Sequence, residues 1–447
     1  MPNRREFLKY IVAVGGSLVI GAVSGYVLRD LQLRERVTRP LVSNITYTYT
    51  ISPKVLEKQT VKVGLATFLS GPFVTDGVHS VNAAKMAVEE ANGAIWFLDG
   101  SNVELYLADL GAVTPEQVSK AMEQLILTYK VHIIVSYWGT YGPGWDYVLK
   151  YKIPLITGDT PLGVTDFISQ HPEAMIVDTY SPLGTRRYQR TFLSFFKWLQ
   201  ETGQWEPRNK PPTMYIVYSD FIWDTNWAEI MRSEALDNGW KIVGYDLVPA
   251  GTPDFSGIIS KIRSANPDVV VHANLFPADS GIFATQFATN PSKSLLCNSF
   301  GFAPPEAIKV GDPDKLVGVI WGSGSMFIRK SDLWRRFRDR YMSKYGLEPN
   351  IAASHTYDSV MIALNAINLA RNLDANSIYN AIFKIAYRGL EGTWVFDPVE
   401  KIAYDYPKLV PNQILQIQKI GGKIDQYVSI YPPEVAYSKF ILPPWLS

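Results

Sequence analysis

The hydrophobic and polar positions of this chain follow two different periods. Between 61 and 65, valine and leucine occupy every second position, and the run stops at Ser70-Gly71-Pro72, which predicts a strand that ends in a loop. Apolar residues then recur at spacings of three and four between 81 and 91, which predicts the buried face of a helix. The first structural unit is therefore a strand followed by a helix.

The same order continues along the first half of the chain. Short apolar runs predict further strands at 103–108, 131–135 and 153–157. The segment Thr114-Pro115-Glu116-Gln117 is typical of a helix start, because it offers an N-cap hydroxyl, a proline at the first helical position and a capping box. Alternating strands and helices predict a parallel sheet with helices on both faces.

A second α/β unit follows after a break. Its predicted elements are helix 185–199, strand 214–218, helix 225–237, strand 241–247, helix 255–263 and strand 268–273. Two such units in tandem predict two lobes around a cleft. Ligands of open parallel sheets bind beyond the carboxyl ends of the strands, so the loops that follow these strands are expected to form the site.

The first 28 residues differ from the rest of the chain. Asn3-Arg4-Arg5-Glu6-Phe7-Leu8-Lys9 precedes an apolar run over 10–28 and closely resembles a twin-arginine export motif. An ordinary membrane anchor is the alternative, since the run is just long enough to span a bilayer. Residues 29–60 are predicted to be a tether, and Asn44 lies there in the chain's only proline-free glycosylation sequon. Both interpretations place the body outside the cytoplasm, with the N-terminal segment in contact with the membrane.

Composition narrows the classes of function. The chain has 447 residues, 47% of them hydrophobic, and a formal net charge of +1, so nothing in it favours nucleic acid as a partner. One cysteine, Cys297, excludes an intrachain disulfide. The aromatic content of 13% is typical of a protein that also uses tyrosine and tryptophan at a binding surface.

The sequence lacks the patterns of catalysis. No two of the five histidines have metal-ligand spacing, and no partner base is evident for Cys297, which is interpreted as a buried structural thiol. Neither a phosphate-binding glycine motif nor the G-x-S-x-G elbow of an α/β hydrolase is present. The basic run 335–340 fits the solvated face of a helix. We therefore expect neither an enzyme nor a bound metal or cofactor.

Several segments in order resemble one family. They are Ser70-Gly71-Pro72 with Gly77 and 84–92, Asp220-Phe221-Ile222-Trp223, 249–256, 341–346, Tyr357-Asp358 and Phe396-Asp397-Pro398. This set is similar to the branched-chain amino-acid-binding proteins, which are type I periplasmic-binding receptors of ATP-driven importers. The resemblance covers about residues 61–447. Each motif is weak alone, and their shared order carries the similarity.

The resemblance implies two doubly wound parallel-sheet lobes joined by a three-strand hinge. One lobe would comprise 61–181 and 328–402, and the other 182–327 and 403–447. It also implies hinge closure on a small ligand and docking on permease and ATPase subunits of an ABC importer. A sensor of the same fold is the alternative. Only three residues precede the paired arginines, which leaves no room for a cytoplasmic signalling domain and favours transport.

The resemblance also implies a set of ligand contacts. They fall on Asp76, on the loop with Ser136, Tyr137 and Trp138, on Asp159 and Thr160, and in the second lobe on Trp223, Asn274, Phe276 and Ser299. Ser299 stands where the family has an acid for the ligand's amino group. A buried ammonium needs a counter-charge, so Asp76 or Asp159 would have to supply it, or the ligand has no ammonium. Aromatic residues near these positions fit a flat, ring-shaped or cationic solute, such as a sugar, an aromatic acid or a quaternary amine.

Overall fold

A computed structural model describes residues 59–446, apart from 95–99, 160–162, 180–185, 325–330, 405 and 407–408. The predicted export signal, Asn44 and Thr160 lie outside the described residues, as does almost all of the tether. Among the described residues, no helix is both long and apolar enough to cross a membrane.

The first lobe is built on a five-stranded sheet in which every strand is parallel to its neighbours, in the order β2-β1-β3-β4-β5. Its strands are β1 (Thr60–Thr67), β2 (Asn102–Asp109), β3 (Ile133–Ser136), β4 (Leu155–Thr157) and β5 (Ile176–Asp178). The intervening helices are α1 (Val74–Asn92), α2 (Pro115–Glu123), α3 (Pro143–Tyr151) and α4 (Val164–Gln170). All residues of β3 are buried, as expected for a parallel strand with both faces covered.

The predicted start of α2 is confirmed. Thr114 Oγ1 accepts a hydrogen bond from the Gln117 amide at 3.3 Å, and the Gln117 side chain in turn accepts from the Thr114 amide. This capping box satisfies two amides that the helix itself leaves unpaired. After α2 the helix continues as a π-helical segment, Gln124–Tyr129, which the sequence pattern did not distinguish from an α-helix.

A later part of the chain returns to the first lobe. It forms α10 (Asp332–Tyr345), α11 (Ile351–Ala370), α12 (Ala375–Ile382) and the short strands β11 (Tyr387–Arg388) and β12 (Thr393–Trp394). Helix α11 packs against α1 and sheet strands β3 and β4, so it is buried on nearly every side. The basic run lies on α10, where Trp334, Phe337 and Tyr341 are buried and the arginines pair with acids at the surface. This confirms the interpretation of that run as a solvated helix face.

The second lobe contains a seven-stranded sheet in the order β14-β13-β10-β9-β8-β6-β7. Its strands are β6 (Thr213–Ser219), β7 (Lys241–Val248), β8 (Val269–Ala273), β9 (Leu295–Asn298), β10 (Ile320–Gly324), β13 (Gln413–Ile420) and β14 (Lys423–Tyr431). Its helices are α5 (Arg187–Glu201), α6 (Ile222–Asp237), α7 (Ser256–Ala265), α8 (Pro277–Thr289) and α9 (Glu306–Val310), and a 3₁₀ turn follows at Pro444–Leu446. Cys297 lies fully buried in β9, which confirms its interpretation as a buried thiol.

This second sheet is not parallel throughout. Strands β6 to β10 are parallel, but β13 pairs antiparallel with β10, and β14 pairs antiparallel with β13. The hairpin turns at Gly421 and Gly422, which have φ of 57° and 80°. Two consecutive residues with positive φ make the type of tight turn that matches the twist of paired strands, and glycine adopts it without strain. The lobe is therefore a doubly wound sheet with an added antiparallel edge.

The chain passes between the lobes three times, after β5, after β10 and before β13. The segments that lead into the first and third passages lie side by side at Asp178 and 401–403. The Asp178 amide donates to the Lys401 carbonyl at 2.9 Å, and the Ala403 amide donates to the Asp178 carbonyl at 2.9 Å. A bridge of parallel strands thus forms part of the hinge, whereas the exact lobe boundaries stay a prediction.

Candidate functional site

A cavity lies between the two lobes, beyond the carboxyl ends of the parallel strands. Its volume, counted as the space open to the centre of a water molecule, is about 180 Å³. Its walls come from both lobes and from the loops that follow the strands. The described lining residues are Pro72, Phe73, Thr75, Asp76, Tyr137, Trp138, Tyr141, Gly158, Asp159, Phe221, Trp223, Leu275, Phe276, Pro277, Phe300, Pro304 and Glu306.

Aromatic rings form most of the walls. In the first lobe, the rings of Phe73 and Trp138 meet edge to face with centroids 4.7 Å apart. In the second lobe, Phe221 meets Phe276 edge to face at 5.5 Å. The rings of Phe73 and Phe221 lie 6.3 Å apart and come from different lobes, so the cleft is closed around the cavity. Such ring pairs contribute on the order of 1 kcal/mol beyond the area they bury.

Trp223 completes the second-lobe wall because of how α6 begins. The helix starts at Ile222, directly after β6, which places Trp223 in its first turn with its ring beside Phe300 at 6.3 Å. The sequence pattern predicted a helix start at 225, and the structure extends the helix by three residues toward the cavity. Trp223 retains 7% of its surface exposed, so a ligand could reach only one edge of the indole.

Asp76 lies in the first turn of α1, not in the preceding loop as the resemblance suggested. One carboxylate oxygen, Oδ1, accepts a hydrogen bond from Asn350 Nδ2 at 2.9 Å. Asn350 is itself held in place, since its Oδ1 caps α11 by accepting from the Ala353 amide at 3.3 Å. Burial raises the pKa of Asp76 to about 7, the Asn350 hydrogen bond lowers this pKa, and the negative charge of Glu306 raises it. Asp76 therefore takes up a proton at a higher pH than an exposed aspartate does.

Asp159 holds the aromatic loop of the first lobe from behind. Its Oδ1 accepts from the amides of Gly139 at 2.6 Å and Thr140 at 2.9 Å. Its Oδ2 accepts from Trp145 Nε1 at 3.0 Å and from the Thr140 hydroxyl. Burial raises the pKa of Asp159, and these four hydrogen bonds lower it. Because all four bonds end on a side chain with no exposed surface, Asp159 fixes the loop between 137 and 142.

Three predicted contacts do not reach the cavity surface. Ser136 is buried and donates from its hydroxyl to the Trp138 carbonyl at 2.9 Å. The Asn274 side chain accepts from the Phe276 amide at 2.7 Å, and the Ser299 hydroxyl accepts from the Asn274 amide at 3.0 Å. Asn274 and Ser299 therefore join the loops after β8 and β9 and position Phe276 at the wall. Their direct contact with a ligand stays a prediction.

Glu306 is an acidic lining residue that sequence reasoning missed, and Phe73 is an aromatic one. Glu306 begins the short helix α9, in the second lobe, and lies within electrostatic reach of Asp76 in the first lobe. Among the described residues, its carboxylate has no hydrogen bond and no ion pair. The sequence did offer a signal, because prolines directly before an acid, as in Pro304-Pro305-Glu306, are typical of the first turn of a helix. In the part of the chain that the structure describes, no group of three or more histidine, cysteine, aspartate or glutamate side chains is placed to hold a metal ion.

Comparison with known proteins places the chain in a family. A family model described as periplasmic binding protein matches residues 60–403. The chain thus belongs to the periplasmic binding protein family, whose members are solute-binding proteins.

Individual relatives agree with this assignment. The chain is 21% identical to Leu/Ile/Val-binding protein homolog 7 of Brucella suis, over 86% of this chain and 94% of the relative. Among solved structures, it is similar to a putative branched-chain amino acid ABC transporter protein from Silicibacter pomeroyi, with a TM-score of 0.77, 21% identity, and coverage of 86% and 100%. It is also similar to LivJ of Streptococcus pneumoniae in complex with isoleucine, with a TM-score of 0.64, 20% identity, and coverage of 83% and 99%. These likenesses confirm the type I periplasmic-binding fold.

Proposed function

We propose that this protein is an extracytoplasmic receptor that closes on a small solute and delivers it to the permease and ATPase subunits of an ABC importer. One observation carries the proposal: an aromatic-walled cavity is formed jointly by two sheet-centred lobes. The family assignment supports an extracytoplasmic location, and the names of the relatives connect them with amino acids and ABC transport.

Closure of the cleft couples solute binding to a change of shape. Phe73 and Phe221 approach one another only when the lobes are together, and both line the cavity. A solute that fills the space between them contacts both lobes at once, and therefore binds the closed form more tightly than the open form. Differential affinity of this kind shifts the equilibrium toward closure. A permease that recognises the closed form would then receive only loaded receptor.

The predicted site residues have two roles in this proposal. Asp76, Tyr137, Trp138, Trp223 and Phe276 lie at the cavity and contact the solute. A second group positions the loops that carry those residues through hydrogen bonds, and it consists of Asp159, Ser136, Asn274 and Ser299. The predicted contact at Thr160 completes the set as a proposal from the family resemblance.

The test is a solute screen by thermal unfolding of the purified protein. The panel contains aliphatic and aromatic amino acids, aromatic carboxylates, organic amines and sugars. A solute at a hundred times its dissociation constant should raise the free energy of unfolding by about 2.7 kcal/mol. The hit is then measured by calorimetry against a Trp223→Ala variant, with Trp205→Ala as a control because Trp205 packs against Phe196, away from the cavity lining. Failure of every solute class to stabilise the protein would contradict the receptor function.

A further inference from the structure

The charges around the cavity are all of one sign. Three described lining residues are acidic, namely Asp76, Asp159 and Glu306, and none of the described lining residues is lysine, arginine or histidine. Among these described residues, an anionic ligand would find only backbone amides and neutral hydroxyls to bind it.

Helix N-termini near the cavity do not supply the missing positive potential. Five helices begin within two residues of a lining residue, and each has an acid in its first turn: Asp76 in α1, Asp146 in α3, Asp224 in α6, Asp279 in α8 and Glu306 in α9. A carboxylate in the first turn neutralises the partial positive charge of the helix end. These acids therefore lower the positive potential that the helix ends would otherwise present to an anion.

Asp76 and Glu306 face the cavity from opposite lobes. One oxygen of Asp76 is bound by Asn350, but Oδ2 has no hydrogen-bond partner among the described residues, and neither has the carboxylate of Glu306. In the closed cleft the negative charge of Glu306 acts on Asp76, and no lysine, arginine or histidine is among the described lining residues. Two like charges in this arrangement are unfavourable unless a proton or a bound cation intervenes. A positive charge on the solute would pair with both acids in the closed form and with only one lobe in the open form.

The surrounding rings favour the same charge. Phe73, Trp138 and Tyr141 line the first-lobe side, and Trp223 and Phe300 line the second-lobe side. The faces of aromatic rings attract cations, with energies of roughly 0.5–2 kcal/mol per good contact. The rings also bury an apolar ligand body. An aromatic-walled cavity with one acid from each lobe therefore fits an amphipathic cation.

We infer that the solute is a small organic cation, an amine or quaternary ammonium on an apolar body, whose charge lies between Asp76 and Glu306. The inference rests on the proposed receptor function. It differs from recognition of a zwitterionic amino acid in that no carboxylate on the ligand is required.

The preference for a cation is tested by calorimetry at pH 8 with matched probes that differ mainly in charge. One pair is choline and its neutral isostere 3,3-dimethylbutan-1-ol, and one set is benzylamine, benzyl alcohol and benzoate, with isoleucine as the zwitterion. We expect at least one cation to bind at least about tenfold more tightly than its neutral partner. Asp76→Asn and Glu306→Gln should each weaken that cation about tenfold or more, and leave the neutral partner within about twofold.

Glu206→Gln is the matched control. It removes the same charge from the exposed segment before β6, at the end of the sheet opposite the cavity, and should change cation affinity less than twofold. Tighter binding of benzoate, isoleucine or a neutral alcohol than of either cation would overturn the inference and leave the receptor function standing. The absence of binding by both cations at 10 mM would also overturn it, whereas the receptor function is judged by the wider panel above.

Discussion

Replacement of Asp159 by alanine tests whether one buried carboxylate holds the aromatic wall of the first lobe. The change removes the acceptor of four hydrogen bonds and leaves two amides, an indole N–H and a hydroxyl without their partner. An unsatisfied buried donor costs about 1–3 kcal/mol. Loss of a buried carboxylate offsets part of that cost, because burial raises the pKa of Asp159. We therefore expect the free energy of unfolding to fall by about 3–5 kcal/mol.

The same substitution should weaken solute binding at least tenfold. Tyr137, Trp138 and Tyr141 belong to the loop that Asp159 fixes, and a mobile loop must be ordered again each time a ligand binds. Urea titration measures the stability, and calorimetry with the best solute from the screen measures the affinity. Asp146→Ala is the control, since Asp146 is exposed on the neighbouring helix α3, and should cost less than about 1 kcal/mol.

Two outcomes would refute this reasoning in different ways. An unfolding free energy within about 0.5 kcal/mol of wild type would show that the four hydrogen bonds do not anchor the loop. A destabilised variant that binds the solute with unchanged affinity would show that the loop is not part of the site.

Three further substitutions test the cavity wall, a buried carboxylate of the first lobe and the titration of Asp76. Trp223→Ala should weaken solute binding at least about tenfold by calorimetry, while leaving unfolding cooperative, because the indole edge lies in the cavity wall. Asp358→Ala should lower the free energy of unfolding by about 3 kcal/mol or more in urea titration, since it unpairs the amides of Leu390 and Glu391 and the Trp394 indole N–H, which lie 2.8–3.0 Å from its carboxylate. Asp76→Asn should change how the free energy of unfolding depends on pH, because the pKa of Asp76 is raised from 3.8 to about 7 in the folded protein. The stabilisation that comes from protonated Asp76 is fully present below pH 3.8 and is lost as the pH rises to 7. Wild-type stability should decline relative to the variant across that window, and parallel pH profiles would contradict the assignment.

The strand and helix order was predictable because its signals are local. The alternation in 61–65, the continuous apolar run in 214–218 and the spacings of three and four in 81–91 reflect burial on one or two faces of a single element. The observed start of a helix differs from the predicted one where a hydrogen bond from a loop side chain sets it. Helix α6 begins at Ile222 because Ser219 and Phe221 form a turn in which the Ser219 hydroxyl accepts from the Phe221 amide at 3.1 Å.

The antiparallel edge of the second sheet could have been found from the sequence. Residues 413–420 and 423–431 alternate apolar and polar side chains around Gly421-Gly422, which is a strong hairpin signal. The strands and helices that precede this segment alternate in the order typical of a parallel sheet, so the prediction included no antiparallel hairpin. No local pattern, in contrast, could show that β13 would pair with β10, since that contact joins distant parts of the chain.

The candidate site was predictable only in part. The aromatic cluster was visible from its composition, and Tyr137, Trp138, Trp223 and Phe276 do share one cavity. The use of Asp159 as a loop anchor was not visible, because its four partners are set by the fold. The electrostatic influence of Glu306 on Asp76 was missed for the same reason, since the two residues lie 230 positions apart in the sequence and in different lobes.

The account is tested most directly by X-ray scattering of the purified protein with and without a solute that the screen shows to bind. If the two lobes close on a guest, the radius of gyration should fall at saturation, toward the compact arrangement in which the rings of Phe73 and Phe221 lie 6.3 Å apart. A saturated complex with the same radius of gyration as the free protein would contradict the account.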